Sequence, residues 1–165
     1  MPEAATTTLL EMLDWHVLAH PDRIHIILSG ETAEEEISYQ DLYAGAASVA
    51  AGLQQQDLRP GQTVAIMLPT SRDYFYSFYG VLLAGGVPVP IYPPARLSQI
   101  EDHLRRHAGI LANAQASILV TVPEARAVAR LLKSQVEGLR VVATVAELST
   151  AQQKLVRPAV KAQDI

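Results

Sequence analysis

Five histidines, three lysines and no cysteine set the limits on the chemistry open to this 165-residue sequence. His103 and His107 are four apart, as are His16 and His20. On a helix each pair shares a face and could approach one metal ion. Neither pair carries Glu directly after its first His, as the zinc-protease motif does. The plainer reading is imidazoles at or just under the surface. Ser29, Ser71 and Ser77 lie in no G-x-S-x-G nucleophile elbow. The missing cysteine removes thiolate nucleophiles, disulfides and Cys-bound zinc. Gly85-Gly86 stands in no G-x-x-x-x-G-K-[ST] or G-x-G-x-x-G motif, and a helix C-cap accounts for it more simply. Tyr74, Tyr76 and Tyr79 fall on or beside an apolar helix stripe and read as core rather than as a ligand platform. No reaction follows from these residues alone.

Composition narrows the class. Apolar residues make up 49% of the chain, enough for a real core, and the formal charge is −4. Ten of the thirteen basic residues are arginines scattered along the chain. That balance gives no electrostatic case for nucleic acid or an anionic membrane. No apolar run approaches membrane-spanning length, and the N-terminus lacks the basic-then-apolar order of a signal peptide. Cytoplasm is the expected compartment.

The elements that must position any site are legible from periodicity. Thr8 and Glu11 have capping-box spacing, and Leu9, Leu10, Leu13, Val17 and Leu18 suit a short helix ending near His20-Pro21. Ile24 to Leu28 alternates as a strand, and Glu36 to Tyr39 is expected to pair back as a hairpin. Glu34-Glu35-Glu36 reads as a solvated charge run. Ser38 and Asp41 cap a second helix with an apolar face of Leu42, Ala46, Val49, Ala50 and Leu53. Pro60-Gly61 suits the centre of a type II turn. Thr63 to Leu68 reads as a strand buried on both faces. Thr70 and Asp73 are expected to cap a helix whose stripe is Phe75, Phe78, Tyr79, Leu82 and Leu83, with Phe78 and Leu82 at its buried centre. Gly85-Gly86 ends that helix. The strand from Val87 to Tyr92 contains Pro88 and Pro90, so it belongs at a sheet edge.

After Arg96, Ser98 and Glu101 form another capping pair for a helix through Ile100, Leu104, Ala108 and Leu111. Ser117 to Val122 is a buried strand, Pro123 opens a helix, and Leu139 to Val145 is the last strand. This alternation predicts an α/β fold: a mainly parallel sheet with flanking helices, preceded by a β-hairpin. Residues 1–148 form the folded part and 149–165 a connector.

Several of these segments match one family in order. Leu83-Ala84-Gly85-Gly86-Val87-Pro88-Val89-Pro90-Ile91-Tyr92-Pro93-Pro94 resembles an early core motif of adenylate-forming enzymes. Ile37-Ser38-Tyr39-Gln40-Asp41-Leu42 is similar to the family's S/T-Y-x-E/D-L motif. Pro60-Gly61-Gln62-Thr63-Val64-Ala65 resembles its G-D-x-V-A strand entry, with Gln62 where Asp is usual. The ending V-P-I-Y-P-P-A-R, in place of the V-P-I-D of peptide synthetases, is most similar to the fatty acyl-AMP ligase branch.

The resemblance implies the N-terminal portion of an AMP-binding large domain. It implies an intact enzyme that uses ATP and Mg²⁺ to turn a fatty acid into an acyl-adenylate and passes the acyl group to the phosphopantetheine of an acyl carrier protein. The family's T-S-G-S-T-G phosphate loop, nucleotide contacts and small C-terminal domain are not in this sequence. Asp164-Ile165 resembles the entry to the strand before that loop, so the chain is expected to stop one strand short of the ATP site. No catalytic, cofactor-binding or metal-binding residue is therefore assigned within it, and the fragment alone is expected to be inactive. By position, Tyr92, Pro93, Pro94 and Arg96 are the candidates for part of the wall of the acyl and pantetheine path; a rigid proline turn is the competing reading. An acyl-CoA synthetase or peptide-synthetase adenylation fragment is the rival within the superfamily, and a non-catalytic α/β interaction module the rival outside it.

Overall fold

A computed structural model describes residues 6–30, 33–92 and 100–164. Its first unit is helix α1 (Leu9–Ala19) packed on a hairpin of β1 (Ile24–Ser29) and β2 (Glu34–Ser38). Thr8 caps α1 in a full capping box with Glu11. The hairpin begins two residues earlier on its second strand than Glu36, and Tyr39 opens the next helix instead of closing the strand. A register shift between Ile24 and Ile26 lets Ser38 pair in the ladder while its hydroxyl caps that helix.

The second unit is a four-stranded parallel sheet in the order β4-β3-β5-β6. Its strands are β3 (Thr63–Met67), β4 (Val87–Pro90), β5 (Ala116–Thr121) and β6 (Val141–Ala143). Helices α2 (Tyr39–Gln55) and α3 (Arg72–Leu83) cover one face; α4 (Ile100–Asn113) and α5 (Pro123–Ala129) cover the other. Alternate residues of one strand serve the two layers. Val64 and Ile66 pack with α2 and α3, while Ala65 and Met67 pack with the α4–α5 layer. That is why Thr63 to Met67 reads as an unbroken apolar run.

Glycine is needed at Gly61 and at Gly85, where the backbone is left-handed. The Arg59–Gln62 turn is closed by Gln62 N–H donating to the Arg59 carbonyl at 3.1 Å, with Gly61 at φ +80°, the left-handed value type II requires. At the end of α3, Gly85 sits at φ +81°. Gly86 N–H donates to Val81 O at 2.8 Å and Gly85 N–H to Leu82 O at 2.9 Å, the paired bonds of a Schellman cap.

β4 lies at one edge of the sheet, as its prolines require. Val87 N–H donates to Gln62 O and Ile91 N–H to Ile66 O, both at 2.9 Å. Alternation then turns Pro88 and Pro90 outward, so the outer edge of β4 offers no N–H at either position.

Four sequence expectations are corrected. Ser71, not Thr70, caps α3, with its hydroxyl accepting from Tyr74 N–H at 3.3 Å. The most buried face of α3 is Ser77, Gly80, Val81 and Leu83, whereas Phe78 and Leu82 are only half-buried. The helix touches α2, the hairpin unit and an open groove at once, so apolar periodicity did not single out its tightest face. Glu35 is not simply solvated: it pairs with Arg72 Nε at 2.5 Å. The last strand is only Val141–Ala143, because Thr144 and Glu147 form a capping box that starts a short helix, α6 (Val145–Leu148). The proposed Ser98–Glu101 cap lies outside the described residues.

Candidate functional site

The four strands are parallel, so their carboxyl ends lie on one side: Met67, Pro90, Thr121 and Ala143. The chain leaves β3 through α3 to reach β4 on one flank. It then returns through α4, on the opposite face, to β5 on the other flank. The direction of winding therefore reverses at β3. In open α/β sheets, ligands bind outside the carboxyl ends at such a reversal.

Three chain segments frame this crevice. The first is Leu68 to Ser71, after β3, where the Ser71 hydroxyl donates to Pro69 O at 3.0 Å and also caps α3. The second is Ile91-Tyr92, after β4, where Tyr92 is 84% exposed. The third is the end of β5, where Thr121 is buried and its Oγ1 has no hydrogen-bond partner among the described residues. A buried hydroxyl without a partner costs about 1–3 kcal/mol, so Thr121 marks a place where a further polar group would fit. Sequence reading passed over it as a strand residue; a lone threonine ending an apolar run is the only signal it left. Of the four residues assigned to the substrate-path wall, Tyr92 stands at the crevice rim, while Pro93, Pro94 and Arg96 lie outside the described residues.

Other candidates have structural roles. His16 stacks on Tyr39 with ring centroids 4.1 Å apart and 3° between planes, and His25 stacks on the same ring at 4.4 Å and 19°. Two rings that close to one phenol must occupy its opposite faces. His20 is 5.9 Å from His16, tilted by 48°. Burial holds both His16 and His25 below the ordinary imidazole range, with Arg23 adding to it in each case. Burial likewise pushes the Tyr76 and Tyr79 phenols up. Ser77 is fully buried between helices, with its hydroxyl unpartnered among the described residues. Among those residues no three His, Asp or Glu side chains are grouped to hold a metal ion.

A groove of about 950 Å³ runs past Phe78, Leu82, Val87 and Pro88, beneath Pro158 and Val160. It opens at the amino ends of β3 and β4, opposite the crevice, so it is not where this topology places a ligand. The segment after α6 runs over the helices and is tied down along its length, first where the Ser48 hydroxyl donates to Ser149 O at 3.2 Å. Gln54 exchanges two hydrogen bonds with the Val156 backbone, at 2.7 and 3.0 Å. Gln153 donates to Ala51 O at 3.0 Å. Arg157 grips Asp14 through both guanidinium nitrogens, at 2.8 and 2.9 Å.

This fold and motif set have counterparts. The AMP-binding enzyme family profile matches residues 13–164. The chain belongs to the AMP-binding enzyme family. It is 32% identical over 115 residues to a long-chain-fatty-acid–CoA ligase of Bacillus subtilis, covering 70% of this chain and 19% of that protein. It is 33% identical over 102 residues to the long-chain-fatty-acid–AMP ligase FadD32 of Mycobacterium marinum, covering 62% of this chain and 16% of that one. The crystal structure of a fatty acid AMP ligase from Legionella pneumophila superposes with a TM-score of 0.76 at 21% identity, over 98% of this chain and 27% of that one. The chain thus spans less than a fifth of the length of these curated relatives, and its fold matches a part of the Legionella ligase structure. No helix among the described residues is long and apolar enough to cross a membrane.

Proposed function

We propose that this chain is the N-terminal part of the adenylation domain of a fatty acyl-AMP ligase. In the whole enzyme a fatty acid carboxylate would attack the α-phosphate of ATP, forming the acyl-adenylate and releasing pyrophosphate, and Mg²⁺ when bound would supply neutralisation of the developing charge. The phosphopantetheine thiol of an acyl carrier protein would then take the acyl group as a thioester, releasing AMP. This part supplies scaffold: residues 1–148 are the folded portion, 149–165 lead on toward the phosphate-loop strand, and the protein works in the cytoplasm. Tyr92, with Pro93, Pro94 and Arg96, forms part of the wall of the acyl and pantetheine path. The observation that carries this reading is the sequence V-P-I-Y-P-P-A-R, which starts within β4. It delivers Tyr92, exposed, to the carboxyl-end crevice, in a family whose members include a fatty acid–AMP ligase.

The similarity to a fatty acid–CoA ligase at nearly equal identity favours one alternative acceptor, CoA. An ATP–pyrophosphate exchange assay with fatty acids and Mg²⁺ tests both. The 165-residue chain alone is expected to give no exchange, and the whole enzyme to give exchange and transfer to carrier protein ahead of CoA. Exchange by the short chain would place an ATP site within it; preferred CoA transfer by the whole enzyme would move it to the CoA ligases. Tyr92→Ala in the whole enzyme is expected to raise KM for the fatty acid or carrier, and an unchanged KM for both would remove Tyr92 from the path.

A further inference from the structure

The two edges of the sheet differ in what they offer a partner. At β4 the outward positions are Pro88 and Pro90, which lack N–H groups. At β6 the pattern is the reverse. Arg140 N–H donates to Ser117 O at 2.8 Å, and Ile118 pairs with Val141 in the parallel ladder. Alternation then sends the N–H and C=O groups of Val141 and Ala143 outward. No strand pairs with that side among the described residues.

This open edge is the floor of a slot of about 450 Å³ between the two helical layers. Its walls are strongly cationic. Arg126, Arg130 and Lys133 line the side of α5 and the turn of 3-10 helix after it (Arg130–Ser134), and Arg140 stands at the start of β6. One carboxylate faces them, Glu147. Four cations against one carboxylate is an excess of three positive charges, in a chain whose net charge is −4. Glu147 is already committed. One oxygen pairs with Arg126, and the other accepts from Thr144 N–H at 2.9 Å and its hydroxyl at 3.1 Å. Arg126 Nε is buried and without a hydrogen-bond partner among the described residues. Arg140 reaches only neutral acceptors, Asp57 O at 3.3 Å and Gln62 Oε1 at 3.4 Å. Among the described residues no ion pair involves Arg130, Lys133 or Arg140.

We propose that the β6 edge is a docking slot for an extended acidic segment of a partner protein, which adds as a fifth strand with its carboxylates on Arg126, Arg130, Lys133 and Arg140. Unpaired main-chain groups at a sheet edge give the affinity in strand addition, and flanking side chains choose the partner. The floor of backbone donors and acceptors favours an extended peptide over a compact anion, and the wall charges favour Glu- or Asp-rich sequence over apolar sequence.

The test uses the 165-residue chain and a fluorescein-labelled peptide of alternating Glu and Val. Matched peptides carry Lys in place of Glu, or N-methylated Val. Anisotropy is expected to show saturable binding of the acidic peptide only, with amide shifts in the protein centred on Val141 and Ala143. Arg130→Glu with Lys133→Glu, both at exposed positions, is expected to leave the melting curve in place. The same double change should weaken binding by more than about tenfold through loss of charge-assisted contacts. Ala143→Pro, which removes an outward N–H, should weaken it too. The N-methylated peptide asks the same question without altering the protein. Equal binding of the Lys peptide would overturn the charge reading, and equal binding of the N-methylated peptide would overturn strand addition. Binding of pyrophosphate that displaces the acidic peptide without moving the Val141 and Ala143 amides would make the slot a small-anion site. Peptide-independent dimerisation through the same amides would assign the edge to a second copy; either result ends the proposal.

Discussion

The sheet unit and the N-terminal unit of α1 and its hairpin are held together by different physics. The interior of the sheet is aliphatic: Val64, Ile66, Leu119, Val120 and their neighbours are fully buried, and among the described residues no ionisable side chain is buried with them. The N-terminal unit has a small apolar core, Leu13 and Ile37 closed over Tyr39 and Leu42 of α2. It adds an aromatic sandwich of His16, Tyr39 and His25, the Arg72–Glu35 pair and the Arg157–Asp14 pair. A large apolar core responds to volume and hardly to pH or salt, whereas a small core supplemented by imidazoles and ion pairs responds to both. The contrast predicts two levels of stability in one short chain, with the hairpin unit opening first.

The largest expected effect lies in the sheet. Leu119→Ala removes a fully buried side chain and should cost about 2–5 kcal/mol in urea unfolding. A loss below about 1 kcal/mol would mean the sheet core is not the dominant one. Gly80→Ala should come next. Its Cβ would stand 2.9 Å from Ala46 O and from Val49 Cβ, where α2 and α3 touch. The expected loss is about 1–3 kcal/mol from overpacking; a neutral result would show that the two helices part easily.

The pH response should be confined to the N-terminal unit. Burial holds His16 and His25 below the ordinary value of 6.5; for His16 the charges of His20, Arg23 and His25 add to this, and for His25 that of Arg23. The unfolded chain therefore binds protons that the folded chain resists. Their contribution is fully present above about pH 6.5 and is lost as pH falls below it toward the depressed folded values. Amide exchange, corrected for its intrinsic pH dependence, should accelerate in α1, β1 and β2 between neutral pH and pH 5, while β3 and β5 hold. Uniform acceleration across both units would erase the distinction.

The smallest effect belongs to Arg72→Ala. It removes a partly exposed ion pair with Glu35, a bond to Glu36 O at 3.4 Å and the contact over Tyr76. Exposed pairs are worth about 0–1 kcal/mol, and the loss should shrink further in high salt. A salt-independent loss would mean that packing of the guanidinium on Tyr76, not charge, carries the contact.

Local chemistry was legible in the residues themselves. The capping boxes at Thr8–Glu11 and Ser38–Asp41, the type II turn at Pro60-Gly61, the glycine end of α3 and the edge placement of a Pro-x-Pro strand all depend on neighbours within about four positions, and the sequence states them directly. Thr144–Glu147 carried the same signature and starts α6 where a strand was expected to continue. The order of motifs from Ile37 to Arg96 also determined the family. Tertiary structure alone decided which face of α3 is buried, because that helix meets three surroundings and its apolar residues are divided among them. It alone brought His16 and His25 to opposite faces of Tyr39. It gathered Arg126, Arg130, Lys133 and Arg140, spread over fifteen positions of scattered basic sequence, around one open strand edge. Capping and turn preferences act within a few residues and survive in the one-dimensional record. Burial and charge clustering are sums over groups that only the folded chain brings within reach of each other.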